Sequence, residues 1–137
     1  MIPNPGAIAL PVMRLLAALF LAVLFLQSGV DKVVDRKGNL AWLSSHFAKS
    51  PLAGQVPLLV TAITVLELVS GALSALGAVE ILLLRTTTLA FLGAALSGAS
   101  IVCLFFGQRM AKDYAGAAGL VPYFLVALAA IGLLGAP

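Results

Sequence analysis

The length of its uninterrupted apolar runs constrains this chain most. Four of them, about Pro11 to Val34, Pro57 to Leu76, Thr86 to Gly107 and Ala117 to Gly135, carry few charges. Each is near the ~20 residues a helix needs to cross a hydrocarbon core of ~30 Å. Hydrocarbon offers no water to satisfy backbone N–H and C=O groups, so only helices and closed barrels span it. These runs are far longer than barrel strands and do not alternate in polarity. Composition agrees: 62% of residues are hydrophobic and 9% charged, against about 25% charged in soluble domains. The expected fold is therefore all-α, an integral membrane four-helix bundle, with residues 1–137 forming one transmembrane domain. The lipid bilayer is its first partner, and no mass is left for a soluble catalytic domain.

The longest connection, Asp35 to Gln55, has Leu40, Leu43 and Phe47 at helical spacing with Trp42 beside them. That pattern predicts a short amphipathic helix lying in the interface, with the indole at head-group depth. Gly77 to Arg85 is read as a tight loop that makes spans two and three a hairpin. Gln108 to Gly116 is the third connection. Pro11 and Pro57 suit first helical turns, and Met1 to Leu10 reads as an irregular lead-in. Arg14 followed by Leu15 to Leu26 has the start of a signal peptide, but no A-x-A-like site follows, so a retained span is expected.

The net charge of +3 comes from scattered basic residues without interleaved aromatics. This is not a nucleic-acid footprint. The first and third loops hold Lys32, Arg36, Lys37, Lys49, Arg109 and Lys112, whereas the other side holds Arg14 and Arg85. The positive-inside bias puts the richer side in the cytoplasm and both termini outside. Cys103 is the single cysteine. It excludes an internal disulfide, a CxxC pair and a cysteine zinc site, and its apolar flanks predict a buried, unreactive thiol.

Glu67 is the most informative residue. It lies mid-span between Val65-Leu66 and Leu68-Val69, where an acid costs at least ~2.5–3.5 kcal/mol on insertion scales. It must face the bundle interior and either find a partner or be protonated. At 100° per residue, Thr64, Glu67, Ser70, Gly71 and Ser74 share one small, polar face. That face reads equally as a packing seam with one hydrogen-bonded acid or as a proton or ligand site. Lys32 is the natural partner, at the end of span one. Two arrangements are open to it: an ion pair with Glu67, or a snorkelling interfacial lysine paired with Asp31 or Asp35. Depth argues against the first, since Glu67 lies roughly 15 Å from the start of its helix at ~1.5 Å per residue.

Gly29, Gly71, Gly93 and Ser97 are expected at close helix crossings, with Gly98 on the face of Gly93 and Ser97. His46, the only histidine, reads as a solvated loop residue. Alone it cannot build a bis-histidine haem site. No metal site is expected, no nucleophile triad can be assembled, and no P-loop or Rossmann glycine pattern occurs.

The stretch Phe25, Ser28, Gly29 and Lys32 resembles the first-span signature F-x-x-S-G-x-x-K of the DoxX-like membrane proteins. Leu66-Glu67-Leu68-Val69-Ser70-Gly71 followed by Leu76-Gly77 is similar to that family's L-E-L-x-x-G…L-G, and Arg85 stands after it. The family's tight turn is lengthened here by Glu80 to Leu84. The resemblance implies four spans with a longer first loop. It also implies a link to membrane redox complexes, among them a thiosulfate:quinone oxidoreductase.

The leading expectation is a small membrane subunit of a redox complex near a quinone. Glu67, Lys32, Thr64, Ser70 and Ser74 form its buried polar site. No cofactor is expected on this chain alone, and a quinone only within a larger complex. The alternative is a purely structural accessory subunit without chemistry. Either way the expected location is a bacterial inner membrane. The orientation is testable with cysteines placed at Ser45 and Ala111 in a Cys103→Ser background: both are expected to label only from the cytoplasmic face. Labelling of both from the outer face reverses the assignment.

Overall fold

The structure, a computed structural model, describes residues 4–137. Helix α1 covers Pro5–Val34, α2 Arg36–His46, α3 Val56–Leu84, α4 Thr88–Met110, α5 Tyr114–Gly119 and α6 Val121–Gly135. A 3₁₀ turn, Ala53–Gln55, leads into α3. Four stretches are long and apolar enough to cross a membrane: Pro5–Val34, Ala53–Leu84, Thr88–Met110 and Tyr114–Gly135. The fold is an all-α four-helix bundle, with α2 as the short helix expected in the first loop.

Two spans are longer than the sequence pattern suggests. Helix α1 starts at Pro5, because Asn4 Oδ1 accepts from Gly6 N (3.1 Å) and caps it. Pro11 therefore sits inside the helix and deprives the Ala7 carbonyl of a donor. Helix α3 runs through Gly77 to Leu84, so no loop exists there. Gly77 is a packing position rather than a breaker, since a Cβ on it would collide with the backbone of Ala90. The turn is Arg85 to Thr87 alone, with Arg85 left-handed at φ 57°. Glu80 Oε1 accepts from Leu89 N (3.1 Å) across this turn, filling one orphan donor of α4. The fourth span pauses at Leu120, ahead of Pro122 near the start of α6.

The spans close into a ring: α1 packs on α3 and α6, and α4 packs on α3 and α6. Lipid supplies no hydrophobic drive between helices, so packing relies on small residues that let backbones approach. A Cβ on Gly71 would lie 2.7 Å from Leu26 N, and one on Gly93 2.7 Å from Ser74 N. Gly29 faces Leu68 in the same way, whereas Gly98 has room for a Cβ. The core is correspondingly alanine-rich, with Ala18, Ala90, Ala94, Ala127 and Ala130 around Leu21, Phe25 and Leu134. Large apolar side chains point outward instead, among them Leu16, Val23, Leu58 and Leu125.

The two ends of the bundle are distinct. At one, Arg14 donates to the carbonyls of Leu133 (2.7 Å) and Ala136 (2.8 Å), capping α6 where a cation suits the helix dipole. At the other, α2 and the first loop meet the third. If close crossings set the fold, Gly77→Ala should lower stability by ~1–3 kcal/mol through overpacking. Gly132→Ala, where nothing lies within 4 Å, should be neutral or slightly stabilising. Thermal unfolding in detergent separates them, and equal behaviour would remove the argument.

Candidate functional site

Helix α3 turns its small, polar face inward. Thr64, Glu67, Ser70, Gly71 and Ser74 are all buried, and Glu67 is fully enclosed. The 100° spacing selected them because the other faces carry Leu, Val and Ile, which lipid accepts. Opposite them, α4 contributes Ser97 and Ser100, also fully buried. Ser70 Oγ lies 3.3 Å from Ser100 Oγ and joins the two helices. Ser100 is missed by the sequence reading. Its signal is there, since Gly93, Ser97 and Ser100 recur at helical spacing.

The hydroxyls are largely committed to their own helices. Thr64 donates to the carbonyl of Val60, Ser70 to Leu66, Ser97 to Gly93 and Ser100 to Leu96. None of these donates to Glu67. Its partner is Lys32, whose Nζ is 2.9 Å from Glu67 Oε1 and 3.0 Å from Ser28 Oγ. Asp31, the alternative partner, instead accepts from Gln27 Nε2 (2.6 Å). The approach of Lys32 to the carboxylate lies off the hydrogen-bonding directions. Both Glu67 oxygens and Ser74 Oγ are thus buried without a hydrogen bond among the described residues.

The depth gap closes for two reasons. The crossing register sets Gly29 against Leu68 and Leu26 against Gly71. Lys32 is then about half a turn from the level of Glu67, not three turns. Helical side chains also lean toward their own N-terminus. In antiparallel helices, Lys32 leans into the membrane and Glu67 leans back toward the loop end, so they converge. Estimating depth from the start of α3 misled because its first turns extend beyond the level of the α1 terminus.

Beside this pair lies a groove of about 630 Å³ between α2, α3 and α4. Its lining is mostly apolar, including Leu59, Ile63, Leu66 and Val102, with Lys32, Asn39 and Gln108 as its polar members. Leu43 and Phe47 of the α2 region form its roof with Trp42. Arg36 ties α2 to α3 through Thr61 Oγ1 (2.8 Å).

His46 is not a solvated loop residue. It is largely buried, with Nε2 2.8 Å from Gln108 Oε1 and 3.5 Å from Asp113 Oδ2. Trp42 stacks on it at 4.6 Å between ring centroids. It fastens α2 to the third loop, an interaction between segments 62 residues apart that no local pattern reveals. Cys103 is likewise not buried. It is exposed on α4 and borders the groove, because the inward side of α4 is taken by Ser97, Ser100 and Ile101.

Comparison with known proteins found no matching family model, curated protein or solved structure.

A double-mutant cycle tests the pair. Lys32→Met should destabilise by ~3–5 kcal/mol, since it strands a fully enclosed carboxylate. Glu67→Gln should cost less, because the Lys32 side chain keeps 17% exposure and can be solvated from the groove. The double variant should recover part of the loss, a coupling above ~0.5 kcal/mol in detergent unfolding. Strictly additive losses would mean that the two groups act independently.

Proposed function

We propose that this chain is a small integral membrane subunit of a redox complex, placed close to a lipid-soluble carrier such as a quinone. The observation that carries the proposal is the Lys32–Glu67 pair at the edge of an apolar groove. Ionisable groups inside a membrane are expensive and mark pathways or ligand sites by default. A bundle needing only packing would be served by apolar or small residues at position 67. Convergent polar groups at the edge of an otherwise apolar pocket are the usual form of a small-molecule site. The resemblance of Phe25, Ser28, Gly29 and Lys32, and of Leu66 to Gly71, to the DoxX-like proteins supports the same reading.

The partner is a larger membrane complex, because the chain supplies almost no cofactor ligands and little mass outside the bilayer. The proposed setting is a bacterial cytoplasmic membrane, with α2 and the third loop inside. A structural accessory role is favoured by a second, wholly apolar recess of about 210 Å³ between Ile101, Phe105 and Phe124, which suits an acyl chain or a neighbouring helix. The readings separate on purification in mild detergent. A redox subunit should co-purify with a cofactor-bearing protein, and the Lys32→Met/Glu67→Gln double variant should lower the complex's quinone-linked activity severalfold while assembly persists. Full activity with the double variant would leave only the accessory role.

A further inference from the structure

The groove between α2, α3 and α4 runs from the loop end, where Trp42, Phe47 and Gln108 stand, to Lys32 and Leu66 at its inner end. Along α3 its wall extends from Val56 to Leu66, roughly 15 Å at ~1.5 Å per residue. That is half of a hydrocarbon core of ~30 Å, the depth of one leaflet. The wall is apolar over this length, with Leu59 and Ile63 on α3 and Val102 and Phe106 on α4. One side faces away from the bundle, since Ala62, Val102, Cys103 and Phe106 all line the groove and are exposed. At the inner end the Lys32 ammonium is already engaged by Glu67 (2.9 Å) and Ser28 (3.0 Å). The floor therefore presents a neutral pair and no free charge for a ligand to meet.

The mouth is opposite in character. Arg36 on α2 donates to Thr61 (2.8 Å), next to the lining residue Ala62. Lys49 lies two residues beyond Phe47, and Arg109 follows Gln108 and covers the ring of Tyr114. All three are exposed, as are Lys37 and Lys112 farther out. None of these five cations lies within ion-pair distance of a carboxylate among the described residues. The carboxylates of this end, Asp31, Asp35 and Asp113, are outnumbered. Two of them are committed elsewhere, Asp31 to Gln27 and Asp113 to His46 and Gly116 N. At the opposite end of the bundle Arg14 is engaged by the α6 carbonyls, and Arg85 stands five residues from Glu80. An uncompensated cationic rim above an apolar slot one leaflet deep complements an anionic head above an acyl chain. Trp42, exposed beside the mouth, suits head-group depth.

We propose that the groove is a site for one anionic phospholipid of the leaflet on the α2 side. One acyl chain lies between α3 and α4 under α2, and the phosphate sits at the rim of Arg36, Lys49 and Arg109. The second chain stays in the bilayer, reached through the exposed side of the groove. This goes beyond the redox reading and stands without it. It uses the rim and the wall of the groove, whereas that reading uses the Lys32–Glu67 pair.

The test uses the full chain in a neutral detergent, with phosphatidylglycerol and phosphatidylcholine of identical acyl chains as probes. Native mass spectrometry is expected to show one phosphatidylglycerol retained per chain, bound at least about tenfold tighter than phosphatidylcholine. Cys103 borders the groove and is exposed, so bound phosphatidylglycerol should slow its alkylation severalfold. Inorganic phosphate at the same concentration should not slow it, because it brings no chain. Arg36→Gln/Lys49→Gln/Arg109→Gln should abolish the preference between the two lipids. Ala62→Trp should fill the open side and weaken retention of both while the cationic rim stays intact. The Cys103 measurement needs no variant, so it decides even where a variant misfolds. Equal retention of the two lipids by the native chain, unchanged Cys103 alkylation with phosphatidylglycerol bound, or unchanged retention in Ala62→Trp would each overturn the proposal. So would a dimer that Ala62→Trp dissociates, which would put a second copy of the chain in the groove.

Discussion

A carboxyl group enclosed in a membrane bundle must be satisfied from within the protein, and the arrangement of α1 against α3 meets that demand at Glu67. Among the described residues its only close polar contact is the Lys32 ammonium. Bringing the two together needs α1 and α3 in close contact and in one register. Gly29 and Gly71 permit that contact, because a Cβ at either would run into the opposite helix. The ion pair and the glycine crossings are thus one feature: the crossings set the register, and the register makes the pair. Desolvation offsets much of the Coulomb attraction in a buried pair. The pair acts on specificity instead, since any other register would strand a charge in hydrocarbon.

The same economy of small residues runs through the second interface. Helices α3 and α4 meet at Ser74 and Gly93, at Gly77 and Ala90, and at Ser70 and Ser100. Ser70, Ser97 and Ser100 bond back to their own helices and are small, polar and self-satisfied, whereas the Ser74 hydroxyl has no such bond. They let the helices approach without demanding a partner. Such a seam does not neutralise Glu67, which leaves Lys32 as its counter-charge among the described residues and ties that charge to the groove.

The loop end of the molecule is built differently. There the interactions are directional and long-range: Arg36 to Thr61, and His46 to Gln108 and Asp113 under the stacked Trp42. These contacts hold α2 across the mouth of the groove. At the opposite end Arg14 closes the bundle by capping α6. The groove therefore opens toward the end of the bundle that α2 covers, and the outward apolar side chains on all spans leave the rest of the surface to lipid or a partner.

The sequence by itself determined that the chain crosses a membrane four times, that a short helix lies in the first loop, and which face of the second span turns inward. These follow from local physics, since hydrocarbon forces long apolar helices and a polar stripe at helical spacing must be shielded from lipid. It misplaced the helix ends at Pro11 and Gly77, because a proline is tolerated in an early turn and a glycine can serve packing as well as breaking. It also left the partner of Lys32 open and read His46 as solvated and Cys103 as buried. Only the tertiary structure decided those points. Depth along one helix has no meaning until the neighbouring helix fixes the register, and burial of a single side chain depends on which faces of the other spans arrive beside it.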